Sequence, residues 1–366
     1  MDLSTGLSSR WRCCADCAPA TGPRRRGLLL GALGSAALAA CSTPAPPSAG
    51  GTVATTLARR IDVHHHTTPP AWLAVARGRG ADGLAAGWTL EKSLADMDRA
   101  GVQTAISSIT TPGVVFPHLD QAAGRRLARE CNEWQARLVA DQRGRFGFFA
   151  ALPMLDTDGA LQELAYALDT LKADGIGLLT SYGDKWLGDP AFLPIMEELN
   201  RRRAVVYTHP TAANCCVNLQ ANVPPVMVEF GTDTTRTIAS ILFNGNARRF
   251  RDIRWIFSHA GGTMPFLIER FVRHPTLVPS SAPLFPQGVQ AELSRFYYDT
   301  AQVANSAALS ALLKVVPVQQ VVFGTDYPFR TSLDHVEGLR KAGVFDEASL
   351  AMIERTTPLS LLPQRG

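Results

Sequence analysis

Two spacings of apolar residues alternate along most of the chain. From Arg60 onward, short runs rich in β-branched and aromatic residues are followed by longer stretches with apolar positions three and four apart. This is the pattern of repeated β-α-β units. Eight short runs predict strands: Arg60 to His66, Val102 to Thr110, Arg145 to Leu152, Gly175 to Thr180, Ala204 to His209, Ile253 to His259, Phe296 to Thr300 and Val321 to Asp326. Helices are predicted between them, at Leu90 to Ala100, Ala122 to Asp141, Gly159 to Ala173, Pro190 to Arg202, Thr234 to Asn244 and Ser306 to Val315. Eight strands with helical connections suit a closed parallel (β/α)₈ TIM barrel better than an open doubly wound sheet, and no Gly-x-Gly-x-x-Gly turn follows the first run. Such a barrel collects its chemistry at the C-terminal strand ends.

The pattern before Arg60 is different. Arg24, Arg25 and Arg26 precede an Ala- and Leu-rich run of thirteen residues, Leu28 to Ala40, ending at Cys41. That run is too short for a permanent bilayer span and reads as the apolar core of a signal peptide. The arginines resemble a twin-arginine signal, and Leu38-Ala39-Ala40-Cys41 resembles a bacterial lipoprotein cleavage box. The expected organisation is a signal peptide over 1–41 with Cys41 lipidated, a Pro-, Ser- and Thr-rich tether over 42–57, and a barrel domain over 58–366. The protein would then be exported, periplasmic or membrane-anchored. A misassigned start codon would leave it cytoplasmic.

Composition narrows the partners. The 366 residues are 46% apolar and 19% charged, enough for one packed barrel. The formal charge of +4 resides in the leader: removing Arg10, Arg12, Arg24, Arg25 and Arg26 from 36 basic residues, and Asp2 and Asp16 from 32 acidic ones, leaves 31 against 30. A nearly neutral remainder gives no nucleic-acid footprint. Outside the leader only Cys131, Cys215 and Cys216 remain, so no disulfide framework is implied.

Four predicted strands end in groups that can bind a metal or move a proton. The first closes Asp62-Val63-His64-His65-His66, where alternation places Asp62, His64 and His66 on one face. The fifth closes on His209 and the sixth on His259, while the eighth closes on Asp326, beside the first once the barrel closes. Imidazole and carboxylate are the usual ligands of a catalytic divalent metal. A lone histidine is usually a core residue; four of them with an aspartate at one rim are hard to assign to packing.

These motifs resemble the amidohydrolase superfamily, and within it the branch of aminocarboxymuconate-semialdehyde decarboxylase-like enzymes. The resemblance spans about Arg60 to Phe329 and implies one metal, zinc or alternatively manganese, on His64, His66, His209 and Asp326. It implies His259 as the catalytic acid or base, with Asp326 as a second catalytic candidate. Gly87-Trp88, Phe146 to Pro153, Asp233-Thr234-Thr235-Arg236 and Tyr297-Tyr298-Asp299-Thr300 are most similar to 6-methylsalicylate decarboxylase-like sequences. Arg270, eleven residues after His259, matches an arginine that reaches the substrate carboxylate in a neighbouring subunit, which implies a homodimer; a solvated helix arginine is the alternative. The run before Ser181 has no lysine at its end to bridge two metals, and Lys185 lies further into the loop, so one metal is expected. Trp88, Tyr182, Trp186 and Phe329 are candidate aromatic walls, with core packing as the alternative.

The expected reaction is non-oxidative decarboxylation of a small aromatic acid of the hydroxybenzoate type. A hydrolase of a lactone or amide is the nearest alternative, since a divalent metal also acidifies water. A lipid-anchored binding protein is a third reading, disfavoured because a binder has no need of His259.

Overall fold

The computed structural model describes residues 59–78, 83–216 and 222–366. The signal peptide, tether and Cys41 expectations lie outside the described residues. Eight parallel strands form one sheet: β1 Arg60–His66, β2 Val102–Ser108, β3 Phe146–Ala151, β4 Gly175–Leu179, β5 Val205–His209, β6 Arg254–Phe257, β7 Tyr297–Asp299 and β8 Val321–Val322. Each pairs with the next in chain order. The ring is closed by Val63 N donating to Phe323 O (2.9 Å), Asp326 N to His64 O (2.8 Å) and His66 N to Tyr327 O (2.8 Å). The (β/α)₈ barrel expected from the periodicity is the fold.

The six predicted helices form, the one expected from Thr234 starting earlier at Glu229, whereas the helix Ser332–Ala342 is not among those expected; their ends follow local chemistry. Leu90–Ala100 starts at Thr89, whose side chain accepts from Lys92 N, and stops at Gly101, which takes a left-handed φ of 65°. Gln121–Asp141 starts at Asp120, which accepts from Ala123 N. Two apolar layers result. Ile61, Val63, Ile106, Phe149, Val205, Tyr207, Ile256 and Val322 fill the barrel interior, with Leu361 and Leu362 packed on them. Phe146, Phe148, Ile176, Val206, Trp255, Phe257 and Tyr298 face the helices. At about 25 cal/mol per Å² these two layers are the dominant favourable contribution to the fold.

Two local departures from the sequence pattern bear on the rim. Strand β8 pairs with β7 only through Val321–Val322, because Phe323 to Tyr327 turn toward β1 and Asp326 adopts a left-handed φ of 67°. In β1 the register shifts between Asp62 and His65. Strict alternation is thereby corrected: Ile61 and Val63 line the interior below His64 and His66, while Asp62 accepts from Thr325 Oγ1 (2.6 Å) and pairs with His65 Nδ1 (3.2 Å). The bulge thus brings His64 and His66 together into the barrel mouth.

Candidate active site

Strand ends β1, β5 and β8 bring His64, His66, His209 and Asp326 together, each buried, with one potential ligand atom apiece inside a mutual span of 4.8 Å. This is the one such group of three or more among the described residues. Nε2 of His64 lies 3.2 Å from Nε2 of His66 and 3.2 Å from Asp326 Oδ1, which is 3.1 Å from His66 Nε2. The opposite ring nitrogens are all occupied. His64 Nδ1 is 2.7 Å from Asp299 Oδ2, His66 Nδ1 is 3.1 Å from Ser108 Oγ, and His209 Nδ1 is 2.8 Å from Pro210 O. A nitrogen facing a carboxylate or carbonyl oxygen carries the proton and leaves the other lone pair free. The donor set therefore fits a single divalent cation: three imidazoles and one carboxylate converge, oriented from behind.

The electrostatics agree with that fit. Burial alone would lower the pKa of His64, yet Asp299 and then Asp326 raise it to about 10. Burial would raise Asp326, but His64 and its contacts with the other histidines hold its carboxyl well below the ordinary carboxylate range. Burial and the neighbouring imidazoles push His209 well below the usual histidine value. A buried carboxylate pair surrounded by imidazoles creates a demand for positive charge at their centre.

His259 stands beside this group without joining it. Its ring stacks on His64 at 5.2 Å, and Nε2 lies 3.5 Å from Asp326 Oδ2, too far for a strong hydrogen bond, so this buried nitrogen has no hydrogen-bond partner. Its backbone, with Ala260, takes the left-handed conformation, as do Asp326 and Gln302. Non-glycine residues held there cost about 1 to 3 kcal/mol each and concentrate at functional sites. Gly324 allows close approach: a Cβ there would stand 2.8 Å from His64 Cβ and 3.1 Å from Asp299 Cβ.

Outside the group opens a cavity of about 500 Å³. Its inner end is polar, with Thr110, His209, Gln302 and Asp326. Its outer wall is apolar, with Pro224, Val226, Phe230 and Phe329 among the lining residues. Of the four aromatic wall candidates only Phe329 lines this cavity. Trp88 packs on Trp134, Tyr182 is buried with its hydroxyl accepting from Leu179 N, and Trp186 donates to Asp233. Arg270 is exposed on the short helix Ile268–Val272 and is not among the residues lining this cavity. Lys185 is exposed in a two-stranded hairpin formed by Ser181–Tyr182 and Lys185–Trp186.

Sequence reasoning missed Asp299 and Gln302. Asp299 ends β7, so the strand-end rule that found the histidines points to it as well. Besides holding His64, it accepts from His259 N (2.8 Å) and Ala301 N (3.0 Å). Gln302 donates to Asp326 Oδ2 (3.0 Å) from a loop with no motif to mark it.

Comparison with known proteins agrees with this geometry. The Amidohydrolase family matches residues 61–363. The 6-methylsalicylic acid decarboxylase of Aspergillus aculeatus is 39% identical over 287 residues, covering 74% of this chain and 84% of the relative. The 2-amino-3-carboxymuconate-6-semialdehyde decarboxylase of Dictyostelium discoideum is 28% identical over 247 residues, 66% of this chain and 67% of the relative. A dihydroxybenzoic acid decarboxylase structure from Polaromonas, with bound manganese and 2-nitroresorcinol, superposes with a TM-score of 0.70 at 20% identity, over 84% of this chain and 98% of that one. Strand order, rim chemistry and sequence point the same way, and the chain belongs to the amidohydrolase family, in the branch that includes 6-methylsalicylic acid and aminocarboxymuconate-semialdehyde decarboxylases.

Proposed function

We propose that the protein is a metal-dependent carboxy-lyase that removes carbon dioxide from a small aromatic acid of the 6-methylsalicylate type. The observation that carries this reading is the unpartnered, buried Nε2 of His259, 3.5 Å from Asp326 in the three-histidine, one-aspartate group, whose His209 and Asp326 line a cavity with an apolar outer wall. The matched relatives are decarboxylases, which sets aside the lactone or amide hydrolase.

His64, His66, His209 and Asp326 would hold the ion, which supplies Lewis acidity toward a carboxylate or phenolic oxygen. The residues of the chain do the rest. The apolar wall of Phe230, Val226 and Phe329 accepts the ring face and its alkyl edge, and the inner polar groups take its oxygens. His259 delivers a proton to the ring carbon that bears the carboxylate. The C–C bond then breaks, its electron pair restores the aromatic ring, and carbon dioxide leaves. Asp299 fixes the His259 backbone and the His64 ring together, so proton donor and ligand move as one unit. Asp326, held as a carboxylate, suits the ligand role better than the proton-donor role.

Manganese accompanies a solved neighbour and zinc is the sequence expectation, so both belong in the assay. Arg270 lies on the same short segment as the exposed apolar residues Phe266 and Val272, which suits a subunit contact; its role at a substrate carboxylate in the second subunit of a homodimer is part of the proposal. Sedimentation of the wild type and Arg270→Ala tests it: a dimer whose variant keeps assembly but raises KM agrees, and a monomer contradicts. Export and lipidation at Cys41 stay part of the proposal and are tested by fatty-acid labelling of the full chain against Cys41→Ala.

The reaction itself is tested by headspace carbon dioxide release from a panel of hydroxybenzoates, with manganese or zinc loaded and His259→Ala alongside. A fall of about 10²- to 10⁴-fold in the variant, with metal content unchanged, is expected. Equal turnover in the variant removes the assigned role.

A further inference from the structure

The segment Asp233-Thr234-Thr235, in the helix Glu229–Phe243, has no part in the chemistry described above, yet Asp233 and Thr235 are both buried. Asp233 is fully enclosed. Its Oδ2 accepts from Thr180 Oγ1 (2.5 Å) and Ser181 Oγ (2.8 Å), and its Oδ1 accepts from Trp186 Nε1 (2.6 Å). Arg236 is 3.9 Å away and half-buried, so hydroxyl and indole donors carry most of the compensation for this buried carboxylate. By taking the Thr180 proton, Asp233 turns an oxygen lone pair of Thr180 toward Thr211 N, which donates to it at 3.2 Å. Thr180 N also donates to His209 O at 2.9 Å. The loop after His209, whose Thr211 and Ala212 line the cavity, is therefore anchored through Thr180 on Asp233. Asp184, in the hairpin that Asp233 grips, accepts from Cys215 N (3.0 Å) and holds the far end of the same loop.

Two residues further along, Thr235 performs the same task for the His259 loop. Its Oγ1 accepts from Thr263 N (2.8 Å) and meets Thr263 Oγ1 at 2.9 Å. The two segments pack so closely that a Cβ on Gly262, itself at φ 67°, would lie 2.0 Å from Gly231 O. Phe230, from the first turn of this helix, reaches the cavity wall.

We propose that Asp233 and Thr235 are positioning residues that set the His209 loop and the His259 loop relative to each other through a single helix turn. The inference rests on the proposed reaction only for its kinetic consequence; the bracing itself is independent of any substrate. A displacement near 1 Å of one loop against the other can cost about 100-fold in rate, and one lost anchor is expected to lower kcat by about 10- to 100-fold with a smaller change in KM.

The test uses the full metal-loaded protein with Asp233→Asn and Thr235→Val, read by amide hydrogen exchange and by kcat and KM. In Asp233→Asn one amide N–H faces a donor where a carboxylate oxygen accepted, and exchange at Thr211 should speed at least tenfold while Thr263 keeps its protection. Thr235→Val should give the reverse pattern. If Asp233→Asn does not fold, Thr180→Val against Thr180→Ser decides by the same amide, the serine restoring protection. Folded variants whose Thr211 and Thr263 amides exchange within twofold of wild type overturn the proposal, as does a lowered melting temperature with kcat unchanged. Exchange altered as described in a protein that releases no carbon dioxide would retain the brace and remove the reaction.

Discussion

Replacing Asp299 by Asn changes one atom and should disable the centre without unfolding the barrel. With a cation in the site, Asp299 Oδ2, which can only accept at 2.7 Å from His64, would keep the one remaining His64 proton on Nδ1 and leave the Nε2 lone pair for the ion beside Asp326 and His66. Asn can keep its oxygen on the backbone N–H groups of His259 and Ala301, which Asp299 Oδ1 accepts at 2.8 and 3.0 Å. Its NH₂ then faces His64 Nδ1, which must accept, and the imidazole proton moves to Nε2. The lone pair that the proposed cation would take is then lost. Partners of this kind typically contribute 10- to 100-fold in metal affinity, or about 1.4 to 2.7 kcal/mol. Chelator competition with manganese and zinc measures it, with circular dichroism confirming the fold. Affinity within twofold of wild type in a folded Asp299→Asn protein would refute the reasoning about the tautomer.

Other perturbations follow from the same structure. Gly324→Ala places a Cβ 2.8 Å from His64 Cβ, so it should destabilise by about 1 to 3 kcal/mol in urea titration and weaken metal binding in parallel. Arg365 grips the buried Asp174 through Nε and Nη2, both at 2.6 Å, near the chain terminus. Arg365→Ala leaves that carboxylate with only Phe148 N and Gln364 Nε2 as donors and should cost about 3 kcal/mol without affecting metal content. The guanidiniums of Arg201 and then Arg202 hold the Glu198 carboxyl at about 2, against an ordinary 4.5. A depressed carboxyl stabilises the fold above its unfolded value and loses that contribution as pH falls from about 4.5 toward 2. Glu198→Gln should flatten this part of the acid-unfolding curve, an effect that salt diminishes.

Hydrophobic periodicity located all eight strands because each is a short apolar run bounded by polar residues, and chain order alone then set the parallel ring. The His64, His66, His209 and Asp326 cluster was legible for the same reason: a barrel directs strand ends to one rim, so ligand-type residues closing separate runs must meet there. What the sequence concealed depends on contacts between distant segments. The shift in β1 that parts the Asp62 carboxylate from the His64 and His66 rings accompanies its contact with Thr325, 263 positions away. The pairing of Asp299 with His64 spans 235 positions, and only folding reveals that its carboxylate faces an imidazole. The Ser181–Tyr182 and Lys185–Trp186 hairpin has too few residues for a period to show, and its anchor on Asp233 is tertiary. The β8 run was read as ending at Asp326, although the chain leaves the β7 ladder after Val322, because apolar and small residues continue through the turn.

The central claim is that this rim removes carbon dioxide from an aromatic acid by protonating the carbon that carries it. The most direct measurement supplies 6-methylsalicylate, labelled with ¹³C in its carboxyl group, to the manganese- or zinc-loaded protein in deuterated water. Labelled carbon dioxide and 3-methylphenol are then followed together. The account predicts one labelled carbon dioxide for each 3-methylphenol, with a single deuterium at the vacated ring carbon and both products lost in His259→Ala. Metal-loaded wild type that leaves the labelled acid intact, or 3-methylphenol formed without deuterium at that carbon, would contradict it.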